Sequence, residues 1–177
     1  IIETALGVEN CFSIASSSTS VVAAAIGLED LTADMGVQRT AEGTETFYAR
    51  SRLVTAARAA GIQAIDSVFS DVSDLDTLRK VVIQSKALGF EGMGCIHPRQ
   101  IRIIHEGYAP ASAEIEKACK IDIAFREASA RGLGVVALGT KMIDAPVVAR
   151  ARRTIETAKR LGLLPDNWRE LSGKQNA

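Results

Sequence analysis

The stretch VVAAAIG, residues 21–27, is apolar from end to end and shows no alternation of polar and apolar positions. A strand with one wet face alternates, whereas a strand of a parallel sheet that is covered on both faces forms a continuous apolar run. Acidic side chains follow at once in GLED, residues 27–30. The stretch therefore predicts a buried parallel strand with carboxylates at its carboxyl end.

Similar apolar segments recur along the first 108 residues and are separated by helical patterns. We predict strands at Ile1–Glu3, 62–69 (IQAIDSVF) and 91–98 (EGMGCIHP), and helices at 9–17, 44–60, 74–88 (capped by Ser73) and 99–107. A loop ending near Gly7 is expected after Glu3, and LEDLTADMG (28–36) is expected to be a polar loop. This alternation predicts the α/β class with a parallel sheet, and four such strands make half of a (β/α)8 TIM barrel.

After residue 108 the alternation stops. The patterns there predict helices at 112–130 and 145–161, an isolated extended piece at 134–138 and a loose polar tail from Pro165. The expected organisation is a C-terminal half barrel carrying strands five to eight over residues 1–108, a helical C-terminal extension over 109–164, and a polar tail over 165–177.

Composition excludes several classes of function. The 177 residues carry 21 Lys and Arg against 21 Asp and Glu, so charge gives no reason to expect a nucleic acid or an anionic membrane as partner. No apolar run reaches the length of a membrane span, and the first ten residues do not resemble a signal peptide. Cys11, Cys95 and Cys119 form no C-x-x-C motif, which favours a reduced, cytoplasmic compartment. Cys95 and His97 are too few ligands for a zinc site.

The carboxyl ends of the predicted strands carry the candidate site residues Glu3, Glu29, Asp30, Asp66 and His97. In a parallel barrel these ends meet at one face, which holds the active site. Glu3 and Asp30 are 27 residues apart, which is one βα unit, so their carboxylates are expected side by side. Such a pair suits Mg²⁺, which binds few protein ligands and keeps room for water and substrate oxygens. The alternative is that both acids only cap the elements that follow.

Two further features have both a functional and a purely structural interpretation. The backbone N–H groups of Leu28, Glu29 and Asp30 could bind a carboxylate, or the segment could be an ordinary acidic loop. Asp144 precedes a helix with Pro146 in its first turn, which is typical of an N-cap. If Asp144 is catalytic, it reaches a site by a long excursion or belongs to the site of a neighbouring subunit.

Four segments resemble a known family: IIETALGVEN (1–10), AAIGLEDLTADMG (24–36), ALGFEGMGCIHPRQI (87–101) and GTKMIDAPVVARA (139–151). They are similar to the citrate lyase β-subunit-like CoA-ester lyases of the HpcH/HpaI aldolase superfamily. The resemblance implies a TIM barrel with a C-terminal extension and a homotrimer or a multiple of trimers. It implies Glu3 and Asp30 as Mg²⁺ ligands, Leu28, Glu29 and Asp30 as the backbone that holds the substrate carboxylate, and Asp144 as an acid that reaches the adjacent subunit's site.

The implied activity is Mg²⁺-dependent carbon–carbon cleavage of a 3-hydroxyacyl-CoA thioester, of the citryl-CoA or malyl-CoA type, to acetyl-CoA and a 2-keto acid, with Glu3 and Asp144 as catalytic residues. Two alternatives remain: a pyruvate-type aldolase that does not use CoA, and a non-catalytic accessory subunit. The family's first four strands, with an Arg and a Lys near the substrate, have no counterpart in this sequence. We therefore expect the sequence to be a fragment of a longer chain.

Overall fold

The computed structural model describes residues 1–170. The chain divides into two compact units, one comprising Ile1–Tyr108 and a second that begins at Ala109. The elements of the first unit are α1 (Ala5–Glu9), α2 (Cys11–Ala15), β1 (Ala23–Ala25), α3 (Leu28–Asp34), α4 (Thr44–Ala60), β2 (Gln63–Asp66), α5 (Leu75–Leu88), β3 (Gly92–Met93) and α6 (Pro98–Tyr108). Those of the second are α7 (Ser112–Ala130), β4 (Val136–Leu138), β5 (Lys141–Ile143) and α8 (Ala145–Arg160).

The first unit contains a parallel sheet in the order β1-β2-β3, with Ala24 opposite Ala64 and Ile65 opposite Gly92. Ile2 adds a fourth parallel position through a single bridge to Ile26. The α/β class is confirmed. Because all four segments run the same way, their carboxyl ends lie along one edge of the sheet.

Helices cover this sheet with apolar faces. The largest core cluster of the unit joins the sheet to α3 and α4 and includes Leu31, Leu53, Ala57, Ala64 and Phe90. A second cluster joins α5, β3 and α6. Both clusters stabilise the unit by removing apolar surface from water and thereby hold the strand ends in place.

All four predicted strands of the first unit are shorter in the structure: Ile1–Glu3 is reduced to the single bridge at Ile2, and 21–27 to Ala23–Ala25. The predicted strand 62–69 is ordered as a strand only over Gln63–Asp66, and 91–98 only over Gly92–Met93. The fully buried Gln100 explains the early end of the second: its side chain accepts from the Ile96 N–H at 3.1 Å and donates to the Phe69 carbonyl at 2.8 Å. This backbone is thus paired by a side chain instead of a neighbouring strand, and Pro98 already begins α6.

The prediction of a polar loop at 28–36 is wrong, because Leu28–Asp34 is the helix α3. Leu28 and Leu31 are buried, and Thr32 Oγ1 donates back to the Leu28 carbonyl at 2.9 Å. Tertiary burial therefore overrides the polar composition of this segment.

The loop expected up to Gly7 is also wrong, whereas the helical stretch expected at about 9–17 is confirmed over α2. Thr4 caps α1 by accepting the Gly7 N–H at 3.1 Å, so the helix begins at Ala5. The helix is then interrupted at Asn10, whose side chain donates to the Leu6 carbonyl at 2.8 Å. Asp74, not Ser73, caps α5 through the Thr77 N–H at 2.9 Å.

In the second unit, residues 136–138 are not isolated as expected. They pair antiparallel with Lys141–Ile143 in a hairpin whose turn contains Gly139 at a φ of +61°. The predicted apolar face of the last helix is confirmed, since Val148, Ala151, Ile155 and Ala158 are buried.

The loose tail expected from residue 165 is wrong as far as residue 170. Trp168 is 3% exposed and belongs to the core of the second unit, and Arg169 forms an ion pair with the fully buried Asp122. The buried indole and the ion pair hold the backbone of residues 168 and 169 against the second unit. The rest of the predicted tail, 171–177, lies outside the described residues. Within residues 1–170, no helix is both long and apolar enough to span a membrane.

Candidate active site

Glu3 is held directly over the start of α3. The Ile2–Ile26 bridge, with Ile2 N–H to Ala25 O at 2.7 Å and Gly27 N–H to Ile2 O at 2.9 Å, brings Glu3 alongside Gly27. A Cβ on Gly27 would lie 2.7 Å from Oε2 and 3.0 Å from Cβ of Glu3. The Glu3 side chain therefore occupies the space that any other residue at position 27 would need.

The first turn of α3 has no side-chain cap of its own, because its N-cap is Gly27. The Leu28 N–H donates to Ser67 Oγ at 3.2 Å. Within the described chain, the N–H groups of Glu29 and Asp30 have no acceptor. Two adjacent open donors at a helix N-terminus can bind the two oxygens of one carboxylate.

The two predicted metal ligands, Glu3 and Asp30, belong to neighbouring elements of the first unit. Glu3 lies against Gly27, and Asp30 follows in the first turn of the helix that Gly27 starts. No group of three or more His, Cys, Asp and Glu side chains among residues 1–170 is arranged to hold a metal ion. A metal bound by Glu3 and Asp30 would thus take only two protein ligands. Such a donor set fits Mg²⁺ and does not fit a structural zinc ion.

The side chain of Glu29 is directed elsewhere. It forms an ion pair with Arg39, which also donates to the Val68 carbonyl at 3.4 Å. Glu29 can therefore contribute its backbone N–H to the site while its carboxylate is neutralised by Arg39.

A cavity of about 340 Å³ opens beside α3 and is lined by residues that include Leu28, Glu29, Arg39, Arg50 and Ser67. Both of its arginines are paired with carboxylates, Arg39 with Glu29 and Arg50 with Asp66. The cavity is therefore not a strongly cationic pocket. Its size allows part of a small organic substrate to enter next to the first turn of α3.

Asp66, one of the predicted strand-end acids, is a structural residue in this geometry. It is 3% exposed, and both its oxygens bind the Arg50 guanidinium, with Nε to Oδ1 at 3.2 Å. Oδ1 also accepts the Ser67 N–H at 2.9 Å, and Oδ2 accepts the Ser85 hydroxyl. A buried carboxylate that accepts these four hydrogen bonds is held in one position.

The hydrogen bonds around Asp66 extend through Ser85 to Tyr108. The Tyr108 hydroxyl lies 2.6 Å from Ser85 Oγ and donates to the Gly92 carbonyl at 3.0 Å. Burial, together with the nearby charge of Asp66, raises the pKa of Tyr108 to about 12, against the lowering effect of the Ser85 hydrogen bond and the charge of Arg50. The phenol therefore stays protonated and keeps β2, β3, α5 and α6 linked through one polar chain.

The remaining predicted residues have defined local contacts. His97 Nδ1 accepts the Arg99 N–H at 3.2 Å, and the Cys95 thiol donates to the His97 carbonyl at 3.2 Å. Asp144, in the second unit, is the N-cap of α8 and accepts the Val147 N–H at 3.1 Å. The N-cap interpretation of Asp144 is confirmed, and its catalytic role remains a prediction.

Ser67 and Arg50 were missed in the sequence analysis. Ser67 directly follows the last residue of β2 and is next to Asp66, so its position at a strand end was an available signal. The partner of Arg50 lies 16 residues away and the partner of Ser67 lies 39 residues away. Neither pairing follows from local spacing.

Together, the fold and the site define an α/β protein with carboxylates and two open backbone N–H donors at the carboxyl ends of its parallel strands. A profile of the family described as HpcH/HpaI aldolase/citrate lyase matches residues 1–98. The chain belongs to this family, and the resemblance inferred from the four segments is confirmed.

Characterised relatives agree with this family. Citrate lyase subunit beta of Haemophilus influenzae is 41% identical over 158 residues, covering 89% of this chain and 54% of that protein. The human mitochondrial citramalyl-CoA lyase is 33% identical over 166 residues, covering 89% of this chain and 48% of the enzyme. The chain thus spans about half the length of the curated relatives it matches.

A solved structure has a similar three-dimensional fold. CitE from Mycobacterium tuberculosis, crystallised with magnesium, acetoacetate and coenzyme A, superimposes with a TM-score of 0.76 at 31% identity. The superposition covers 88% of this chain and 58% of CitE.

Proposed function

We propose that this chain carries the metal- and carboxylate-binding part of a Mg²⁺-dependent carbon–carbon lyase that cleaves a 3-hydroxyacyl-CoA to acetyl-CoA and a 2-keto acid. The observation that carries the proposal is the Glu3 carboxylate lying over Gly27 at the start of an uncapped helix, in a chain of the citrate lyase family. The relatives named as citrate lyase subunit beta and citramalyl-CoA lyase support the CoA-ester class.

Glu3 and Asp30 would hold Mg²⁺, with the remaining coordination positions left to water and substrate oxygens. Bound there, the ion would supply Lewis-acid polarisation of the substrate's oxygen. The N–H groups of Glu29 and Asp30 would bind the carboxylate of the keto-acid portion. The Leu28 N–H already donates to Ser67, so Leu28 contributes the turn and not a donor to the substrate.

In the reaction, the hydroxyl loses its proton and becomes the carbonyl of the keto acid as the carbon–carbon bond breaks. The electron pair of that bond passes to the α-carbon of the acetyl thioester, which takes up a proton. Asp144 is the acid proposed to manage that proton, supplied by a neighbouring copy of the chain in a trimer. Its carboxylate caps α8, which holds it in one orientation.

The first unit would be the second half of a TIM barrel, and the part of the second unit up to residue 164 a C-terminal extension. Two open edges support this assignment: Ile2 pairs only with Ile26, and β3 pairs only with β2 within residues 1–170. Unpaired edges of a parallel sheet need another strand or a cover. The relatives have about twice the matched length, which leaves room for four more strands.

A pyruvate-type aldolase is the second candidate, favoured by the aldolases that share the family description. The two reactions differ in the product whose α-carbon takes up a proton after the carbon–carbon bond breaks. That product is acetyl-CoA in the lyase reaction and pyruvate in the aldolase reaction. Release of acetyl-CoA from a 3-hydroxyacyl-CoA supports the lyase, whereas release of pyruvate from a CoA-free hydroxy acid supports the aldolase. A chain that does neither, and only joins a larger assembly, is an accessory subunit.

The test of the function is Asp30→Asn in the full chain, assayed for Mg²⁺-dependent acetyl-CoA release. Because loss of a residue that merely supports a metal ligand costs 10–100-fold, loss of the ligand itself is expected to cost at least about 100-fold. Asp76→Asn makes the same change in the first turn of α5 and is the matched control. Equal turnover in the two variants would remove Asp30 from the site.

A further inference from the structure

Ser67 is the residue that fixes the start of α3. Its hydroxyl oxygen accepts the Leu28 N–H at 3.2 Å, across a separation of 39 residues. An N-cap side chain normally accepts the N–H of the second or third helical residue, and Gly27 has no side chain to do so. Ser67 therefore caps α3 from the end of β2.

The capping hydroxyl is itself held in place. Ser67 is 6% exposed, and its N–H donates to Asp66 Oδ1 at 2.9 Å. Asp66 is in turn fixed by Arg50 and Ser85. A side chain supported in this way has few alternative rotamers, so its hydrogen bond to Leu28 is geometrically defined.

The helix is short and depends on such outside contacts. It has seven residues, and its far end is tied by the Asp34 carboxylate, which accepts the Ala5 N–H at 2.8 Å. Ser67 holds the other end. Leu28 is 5% exposed, so without Ser67 its N–H would be buried and unpaired.

We propose that Ser67 is a positioning residue for substrate binding: by fixing Leu28, it sets the direction of the Glu29 and Asp30 N–H groups toward the substrate carboxylate. This inference rests on the proposed function, in which those two groups bind the keto acid. It assigns Asp66 and Arg50 to the support of Ser67. Because Asp30 lies in the same first turn of α3, keto-acid affinity is compared at saturating Mg²⁺, where a change in Mg²⁺ affinity does not contribute.

The experiment compares Ser67→Thr with Ser67→Val in the full chain. The two side chains have the same shape and differ in the hydroxyl, so any difference between the variants reports the hydrogen bond to Leu28. Ser51→Ala in α4 is the control serine, since Ser51 does not take part in these bonds. The measurements are amide hydrogen exchange at Leu28, Mg²⁺ affinity by calorimetry, and the affinity for oxaloacetate in the presence of Mg²⁺.

The expected result is that Ser67→Val exchanges the Leu28 amide about tenfold faster than Ser67→Thr and, at saturating Mg²⁺, binds oxaloacetate about tenfold more weakly. Equal exchange at Leu28 in the two variants would overturn the proposal. Faster exchange with unchanged oxaloacetate affinity would also overturn it, because the hydrogen bond would then be structural only. If the unmodified chain binds no oxaloacetate, the proposed function fails and the substrate role of Ser67 fails with it. The exchange comparison then separately decides whether Ser67 holds Leu28.

Discussion

The Glu3 carboxylate occupies the place of the missing side chain of Gly27. A Cβ at position 27 would lie 2.7 Å from Glu3 Oε2, a distance that packed atoms do not adopt. The backbone φ of Gly27 is −107°, which every residue type can adopt. A larger residue at this position would therefore have to move the Glu3 side chain, whereas the conformation of the turn does not require glycine.

This relationship predicts the effect of Gly27→Ala. The new methyl group must displace the Glu3 side chain, because the Gly27 N–H donates to the Ile2 carbonyl and holds position 27 beside the residue that follows Ile2. If Glu3 is a metal ligand, Mg²⁺ affinity should fall by about tenfold or more, since supporting residues of metal sites have effects of that size. Isothermal titration with Mg²⁺ measures the loss.

A second glycine provides the control for this substitution. Gly134 has open space where a Cβ would be, so Gly134→Ala should leave Mg²⁺ affinity unchanged. If Gly27→Ala binds Mg²⁺ as tightly as Gly134→Ala does, the Glu3 carboxylate is not part of a metal site.

Tyr108 predicts a loss of stability at high pH. Its pKa of about 12 in the folded chain is above that of an exposed tyrosine, near 10. A group with a raised pKa in the folded state stabilises that state fully below the unfolded pKa, and the contribution is lost as pH rises through the folded value. The free energy of unfolding should therefore fall between about pH 10 and pH 12.

Urea denaturation across this pH range tests the assignment, with Tyr108→Phe as the variant. Phe has no hydroxyl to titrate, so its unfolding free energy should be lower at pH 8 but depend less on pH above 10. Tyr48→Phe is the comparison: the hydrogen bond to Glu9 also raises the pKa of Tyr48, but this side chain is exposed and solvent screening makes its contribution to stability small. Equal slopes for the Tyr108 variant and the unmodified chain would show that Tyr108 is not the group responsible.

Local patterns predicted the parallel strands and failed on α3. The run at 21–27 is apolar throughout, and this composition predicts a strand covered on both faces. The segment 28–36 is mostly polar, and its helix depends on the burial of Leu28 and Leu31 and on the bond from Ser67. Such contacts come from distant parts of the chain and leave no local signal.

The residues of the candidate site also divide into those that the sequence predicted and those that it did not. The carboxylates of Glu3 and Asp30 were predicted because strand ends can be read from sequence, and the structure brings Glu3 to the helix that carries Asp30. The partner of Asp66 was not predictable, since Arg50 is one of several arginines on the predicted helix 44–60. The packing of Trp168 was missed because a single aromatic residue in a polar segment carries no periodicity.

Asp122 predicts acid sensitivity in the second unit. It is fully buried and receives Arg152 Nε at 2.9 Å and Arg169 Nη2 at 2.8 Å. Burial by itself would raise the pKa of Asp122, but the hydrogen bonds and charges of the two arginines outweigh it and lower the pKa below its usual value. The stabilisation is therefore present above the unfolded pKa and is lost as pH falls below about 4.

The fluorescence of Trp168 measures this effect, since it is the only tryptophan in the chain and lies 4.6 Å from the Arg169 guanidinium. Asp122→Asn should destabilise the second unit by roughly 1.5–3 kcal/mol at pH 7, because the carboxylate's charge-assisted hydrogen bonds to two half-exposed arginines are weakened. Its unfolding free energy should also change less between pH 5 and pH 3. Asp166→Asn, which alters an exposed ion pair with Lys159, is the control. A loss no larger than that of the control would contradict the assignment.

Asp144 combines a structural role that is observed with a catalytic role that is proposed, and two substitutions separate them. Asp144→Ser retains an N-cap oxygen for the Val147 N–H and removes the acid, whereas Asp144→Ala removes both. We expect Asp144→Ser to keep the stability of the unmodified chain and to lose about 100-fold or more in kcat, the size of effect typical of a general acid or base. Asp144→Ala should show the same loss of kcat and an additional destabilisation of about 1 kcal/mol. Steady-state acetyl-CoA release and thermal unfolding of both variants give the comparison. Full activity in the serine variant would restrict Asp144 to capping α8, because the cap is the only property that serine shares with aspartate here.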